Sequence, residues 1–138
     1  MSAQTEFITA IIDNASLAKA RKKIPKLKWG LYHLLGPSQE TACVMGVAAL
    51  AACEDPQTIA GRDKLPLAVI ERRGWANPGR KKLKTSCPQC HPLHNHVQFL
   101  AQSAVYHVND VHGHNPGGLR GVIRTLRQWV KQELAAEG

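Results

Sequence analysis

The chain has 138 residues, a formal net charge of +8 and 43% hydrophobic residues, but only three Trp, two Tyr and two Phe. That length accommodates one domain with a modest core, built mainly from Ala, Val, Leu and Ile, a palette suited to an all-α fold. No run approaches the roughly 20 apolar residues needed to cross a bilayer, and the N-terminal MSAQTEFITAIIDN lacks the basic-then-apolar order of a secretory signal. The expectation is a cytoplasmic protein without membrane insertion, whose thiols stay reduced.

From the N-terminus, Phe7, Ile8, Ile11, Ile12 and Ala15 share one helical face and predict a first helix over 4–22, with Pro25 barring its continuation. It ends in the basic cluster KARKKIPKLKW, residues 19–29, which carries Arg21, Lys22, Lys23, Lys26, Lys28 and Trp29. The following LKWGLYHLLG reads equally as a short helix or as extended chain.

Gly36 and Pro37 break the chain, Ser38 is placed to cap, and Glu40 falls where a helix dipole favours an acid, so a helix is expected through ACVMGVAALAAC. It is apolar on nearly every side, so it belongs at the centre of the core. Cys43 and Cys53 on it would lie about 15 Å apart along the axis, too far for a disulfide, and both are expected to be buried as small apolar residues. A further helix over 64–73 would be capped by Asp63 and stopped by Gly74.

A second basic cluster, ERRGWANPGRKKLK at 71–84, supplies Arg72, Arg73, Trp75, Arg80, Lys81, Lys82 and Lys84. Pro78, Pro88 and Pro92 make residues 75–94 a loop. Val97, Leu100, Ala101, Ala104, Val105 and Val108 then repeat at helical spacing. The last helix is the clearest: Asn115 caps, Pro116 takes the first position, and Leu119, Val122, Ile123, Leu126, Trp129, Val130 and Leu134 form an apolar stripe. Beside it Arg120, Arg124, Arg127 and Lys131 form a basic stripe. Such clusters attract nucleic acid, acidic protein faces or anionic lipid, although many charged runs serve only solubility.

Chemistry concentrates in SCPQCHPLHNHVQFLAQSAVYHVNDVHGH, residues 86–114, with two of the four cysteines and six of the seven histidines. Cys87 and Cys90 have the spacing with which a turn presents two thiolates to one zinc ion, and His107 and His112 extend the pattern to Cys-x2-Cys-x16-His-x4-His. Five residues of regular helix turn the chain by about 500°, so His107 and His112 would point roughly 140° apart unless the helix tightens or breaks between them. His94 and His96 are the substitutes. The plainer readings are reduced surface thiols or a redox pair for the cysteines, a carbonyl-bonded helix residue for His107, and solvated loop for His91, His94, His96 and His114.

DVHGHNPGG and CPQCH also hold the pieces of HNH-type nucleases, with Asp110, His112 and His114 as catalytic candidates and a divalent cation as cofactor. The order differs, because the cysteine knuckle precedes a segment that reads as helix.

HVNDVHG, placed after a Cys-x2-Cys and before an amphipathic helix with a Trp, resembles a pattern of small phage and prophage proteins that runs His, aliphatic, Asn-Asp, any residue, His. ACVMGVAALAAC resembles the Cys-x-x-Gly-x-x-Ala-x-Leu helix that accompanies such a segment. The resemblance covers about half the chain and implies that Cys87, Cys90, His107, Asn109, Asp110 and His112 form one structural unit. It also implies a bacterial or phage-infected cell and Asn109-Asp110 as a turn between the last two helices, bonding backbone amides. The chain departs from the pattern at HNPGGLRG.

The combined expectation is a single helical domain over 1–138 with about five helices and a zinc-binding subregion at 85–114. Structural zinc would pin the loop at 85–95 to the fourth helix, contributing on the order of 10 kcal/mol of apparent binding energy. Function would then lie on the basic surface: a non-enzymatic, phage-type regulator binding nucleic acid, with Trp29 and Trp75 stacking on bases. The alternatives are an adaptor or inhibitor docking on an acidic protein partner, and the nuclease.

Overall fold

The computed structural model describes residues 1–90, 98–113 and 117–137. Among them, six α-helices and a two-stranded sheet enclose one hydrophobic core. About half the chain is helical, so the all-α expectation is correct for the packing, but it missed a sheet and one helix.

The stretch expected as one N-terminal helix divides in two, α1 (Ala3–Asn14) and α2 (Leu17–Ala20). Asn14 turns its side-chain amide back onto the Ala10 carbonyl, and Ser16 caps the new start by accepting from the Lys19 N–H at 3.2 Å. Short polar side chains compete with the helical backbone in this way. Phe7, Ile8 and Ile11 on α1 are fully buried, as their spacing requires.

The ambiguous LKWGLYHLLG is extended. Its first residues form β1 (Lys28–Trp29), paired in parallel with β2 (Thr41–Ala42), Lys28 opposite Thr41 and Trp29 opposite Ala42. This pairing draws residues 41–42 out of the expected helix. The helix therefore begins later, as α3 (Val44–Ala51), and Ser38 does not cap it.

α3 is buried from Val44 to Leu50 and touches α1, α2, α5 and α6, the central position its all-round apolarity predicts. Gly46 permits the closest approach, since a Cβ there would lie 1.5 Å from the Leu34 carbonyl oxygen. The helix ends in a Schellman motif: Glu54 N–H bonds Ala49 O and Cys53 N–H bonds Leu50 O, both at 3.0 Å. Cys53 holds the left-handed position with φ 69° and is exposed, so only Cys43 of the two is the buried residue expected.

After a 3-10 turn (Pro56–Thr58), α4 (Leu67–Arg72) is shorter than the 64–73 predicted, with Pro66 rather than Asp63 before its first residue. Gly74 stops it at φ 70°, as anticipated. The site-bearing pair follows, α5 (Ala101–His112) packed on α6 (Gly118–Glu137). Asn109 and Asp110 lie inside α5 rather than in a turn. The predicted cap Asn115 and first residue Pro116 lie outside the described residues. Val122, Leu126 and Trp129 are fully buried, whereas Leu134 at the end of the stripe is exposed.

Candidate metal centre

α6 suspends the cysteine loop by three side chains. Glu133 accepts from the Lys84 N–H at 2.8 Å, the Thr85 N–H at 2.6 Å and the Thr85 hydroxyl. Gln132 donates to Ser86 O at 3.0 Å and the Trp129 indole to Thr85 O at 3.4 Å. On the other side, the Leu83 N–H bonds Phe99 O at 2.7 Å, tying the loop to the chain entering α5. The knuckle is therefore anchored just before Cys87. Within it the Cys90 N–H turns back to Cys87 O at 3.3 Å.

This anchoring brings Cys87, Cys90, His107 and His112 together, with their ligand atoms all within 4.8 Å of one another. Cys90 Sγ lies 3.2 Å from His107 Nε2 and 3.6 Å from His112 Nε2. A tetrahedral ion with metal–sulfur bonds of about 2.3 Å and metal–nitrogen bonds of about 2.0 Å needs ligand pairs roughly 3.3–3.8 Å apart. The group can hold a metal ion, and its donor set is compatible with zinc.

The anticipated break between the two histidines is absent. α5 runs through His112, its last residue, and the rings meet edge to face with centroids 4.9 Å apart. The distal Nε2 atoms close the gap that the Cα positions leave. Phe99 lies tilted against the His107 ring at 4.6 Å and meets Trp129 edge-on at 5.7 Å, linking the ligand to the core. His91, His94, His96 and His114 lie outside the described residues.

Burial, then the neighbouring Cys90, pushes the Cys87 thiol up to about 11. Burial lowers both histidines, and His107 is lowered further by His112. The imidazoles are thus kept neutral with lone pairs available, while the buried thiol needs a cation beside it to ionise, as a coordinating thiol does.

Behind the ligands lies a buried polar knot. Asn109 is fully buried, and its Oδ1 accepts from the Trp29 indole at 2.7 Å and from the Val44 N–H at 3.0 Å, while its Nδ2 donates to Gly30 O at 3.1 Å. It thereby supplies the cap that Cys43 does not give α3. Asp110 Oδ1 accepts from the Tyr32 N–H at 2.9 Å and from the Asn109 amide. The amide-bonding role expected of this pair is present, directed at β1 and α3. Asp110 bonds Tyr32 and Asn109 and His112 faces Cys90, while the third nuclease candidate, His114, lies outside the described residues.

The basic residues divide by role. Arg72 and Arg73 are bound to the buried Glu54, and Arg73 also reaches Ala52 O. The Arg21 side chain holds Leu27 O at 2.9 Å. Trp29 is half-buried against Gly113 and Gly118, and Trp75 is half-buried on the core. Lys22, Lys23, Lys26, Lys28, Arg80, Lys81, Lys82 and Lys84 are exposed. Arg120, Arg124, Arg127 and Lys131 are exposed along one face of α6, opposite its buried residues, bordering a concavity of about 720 Å³ with Ile123 and Gln128.

Glu133 and Glu54 were not singled out from the sequence. For Glu133 the available signal was a carboxylate in register with Leu126, Trp129 and Val130 on the apolar side of the last helix. Among the described residues, no helix is long and apolar enough to cross a membrane. No protein-family model, curated protein or solved structure matches this chain.

Proposed function

We propose that this chain is a non-enzymatic module, stapled by one structural zinc ion on Cys87, Cys90, His107 and His112, that binds nucleic acid through the basic face of α6. Two thiolates and two imidazoles suit zinc, and four protein ligands leave no coordination position for a substrate, which favours a structural role over a catalytic one. The observation that carries the binding reading is the row of Arg120, Arg124, Arg127 and Lys131. All four are exposed, and none forms an ion pair among the described residues. Cations used in neither packing nor pairing are free to replace counterions on a phosphate backbone. A phage-type regulatory role in a bacterial or infected cell belongs to the same reading and rests on the sequence resemblance.

The test is a salt titration of the zinc-loaded protein with labelled duplex and single-stranded oligonucleotides. Affinity should fall linearly on a log–log plot, and Arg124→Glu with Arg127→Glu should flatten that slope by about one unit per lost phosphate contact. Absence of binding at low salt, with a stable complex captured from nuclease-treated lysate through the same face, would replace this reading with docking on an acidic protein. EDTA-sensitive cleavage of the oligonucleotides would replace it with the nuclease.

A further inference from the structure

We propose a second site, on the side of the molecule formed by α5, residues 81–84 and the start of α1, that binds one nucleotide unit: an unstacked base together with its phosphate. The proposal rests on the nucleic-acid reading for the identity of the polymer and on separate residues for the site.

Two concavities of about 480 and 470 Å³ adjoin here and share Lys82 and Gln98. The first is lined by Phe99, Tyr106 and Val111, with Ser103 on its wall and Asp110 at its border. Its volume lies in the range of small-ligand pockets. The second is lined by Lys81, Lys82 and Lys84. An aromatic hollow continuous with a cationic one matches a nucleotide, whose base offers a π-face to stack and whose phosphate offers charge.

The polar groups in each half agree with that occupant. Among the described residues both hydrogen bonds to the Asp110 carboxylate go to Oδ1, which leaves Oδ2 to accept from an amino or imino N–H on a base edge. In the cationic half the two carboxylates are already engaged: Glu133 holds Lys84 and Thr85, and Glu137 Oε1 accepts from the Ser2 N–H and the Thr5 hydroxyl, each at 3.3 Å. Three lysines and these two carboxylates line the hollow, leaving one positive charge in excess for a phosphate. Gln4 also lines it, only 6% exposed and without a side-chain hydrogen bond among the described residues. Its amide N–H can donate to a phosphate oxygen placed there.

Tyr32 stands near this groove, tied by its backbone to Asp110, with the residue 63% exposed and its backbone at φ 73°. A bulky residue held in the left-handed region and displayed to solvent is a second surface on which the neighbouring base of a strand can stack.

The experiment uses the full-length, zinc-loaded protein with three probes: labelled oligothymidylate, an abasic oligomer of equal length, and free thymidine monophosphate as competitor. Oligothymidylate should bind about tenfold more tightly than the abasic oligomer, the size of one base–aromatic contact. Tyr106→Ala should erase that preference, and so should Ser103→Leu, which plugs the hollow without removing a packed group. Lys82→Ala with Lys84→Ala should weaken both oligomers. Competition by the monophosphate would identify the free nucleotide as a ligand, and base preference without competition would identify the strand. Equal affinity for both oligomers, abolished by the Arg124 and Arg127 substitutions, would overturn this site and leave the α6 reading standing. No binding of any probe would overturn both.

Discussion

The indole N–H of Trp29 donates to Asn109 Oδ1 across 2.7 Å, joining a strand to a helix 80 positions later in the chain. The same oxygen caps α3 through the Val44 N–H, and the amide nitrogen holds Gly30 O. Three segments distant in sequence therefore depend on one buried side chain, and that residue sits between His107 and His112, two of the four candidate metal ligands.

Asn109→Ala would remove the acceptor of the Trp29 indole and of the Val44 N–H, and the donor to Gly30 O. The expected loss is about 3 kcal/mol, from roughly 1 kcal/mol or more per buried orphan. Urea unfolding of the zinc-loaded protein measures it. A loss below about 1 kcal/mol would mean that water replaces the amide.

Zinc should be present at one ion per chain when the protein is purified without a metal-binding tag, measured by mass spectrometry. Cys90→Ser and His107→Ala should each lose the ion together with cooperative unfolding, because binding energy at such sites is folding energy. Phe99 would lose its ordered neighbour with His107, so near-ultraviolet dichroism from Trp129 should weaken in the same variants. Full folding without metal would show that the knuckle is held by Glu133, Gln132 and Trp129 alone.

Cys53 occupies the position after α3 where glycine is favoured, at φ 69°. Cys53→Gly should stabilise the protein by about 1 kcal/mol by relieving the left-handed strain of a side-chain-bearing residue, offset in part by the greater entropy of glycine in the unfolded chain. A shift in the urea midpoint reads the effect. A decrease in stability would mean that the unfolded-state term is the larger.

Glu54 is buried, and burial opposes its ionisation, but hydrogen bonds from Arg72 and Thr58 and the charges of Arg72 and Arg73 outweigh that, so its carboxyl lies below the ordinary 4.5. A folded-state value below the unfolded one means that the ionised group adds stability above pH about 4.5 and loses it as pH falls through the folded value. Glu54→Gln should cost about 1–2 kcal/mol at neutral pH, and the difference from wild type should shrink below pH 4.5. Paired urea titrations at several pH values give this directly, since acid effects on the metal centre are common to both proteins.

Much of the candidate site is legible in one dimension. A Cys-x2-Cys can come from a single turn, and His107 and His112 share one helix, so sequence distance already limits where these donors lie. The apolar periodicity of α1 and α6, the all-round apolarity of α3 and the stop at Gly74 are likewise local properties, set by which faces must leave water and which residue tolerates positive φ. The basic row on α6 follows from the same periodicity.

Tertiary structure decided the rest. The parallel pairing of residues 28–29 with 41–42 depends on a partner outside any local window, and it moved the start of α3 past Ser38, a residue well suited to cap. Glu133 and Glu54 look like ordinary surface acids until the chain folds amide and guanidinium donors around them. Trp29 lies in a cationic run that suggests an exposed stacking ring, yet Asn109, Gly113 and Gly118 hold its indole half-buried and hydrogen-bonded. Local pattern determines which side chains must be hidden, whereas the partners of a buried polar group come from anywhere in the chain, and only the folded arrangement assigns them.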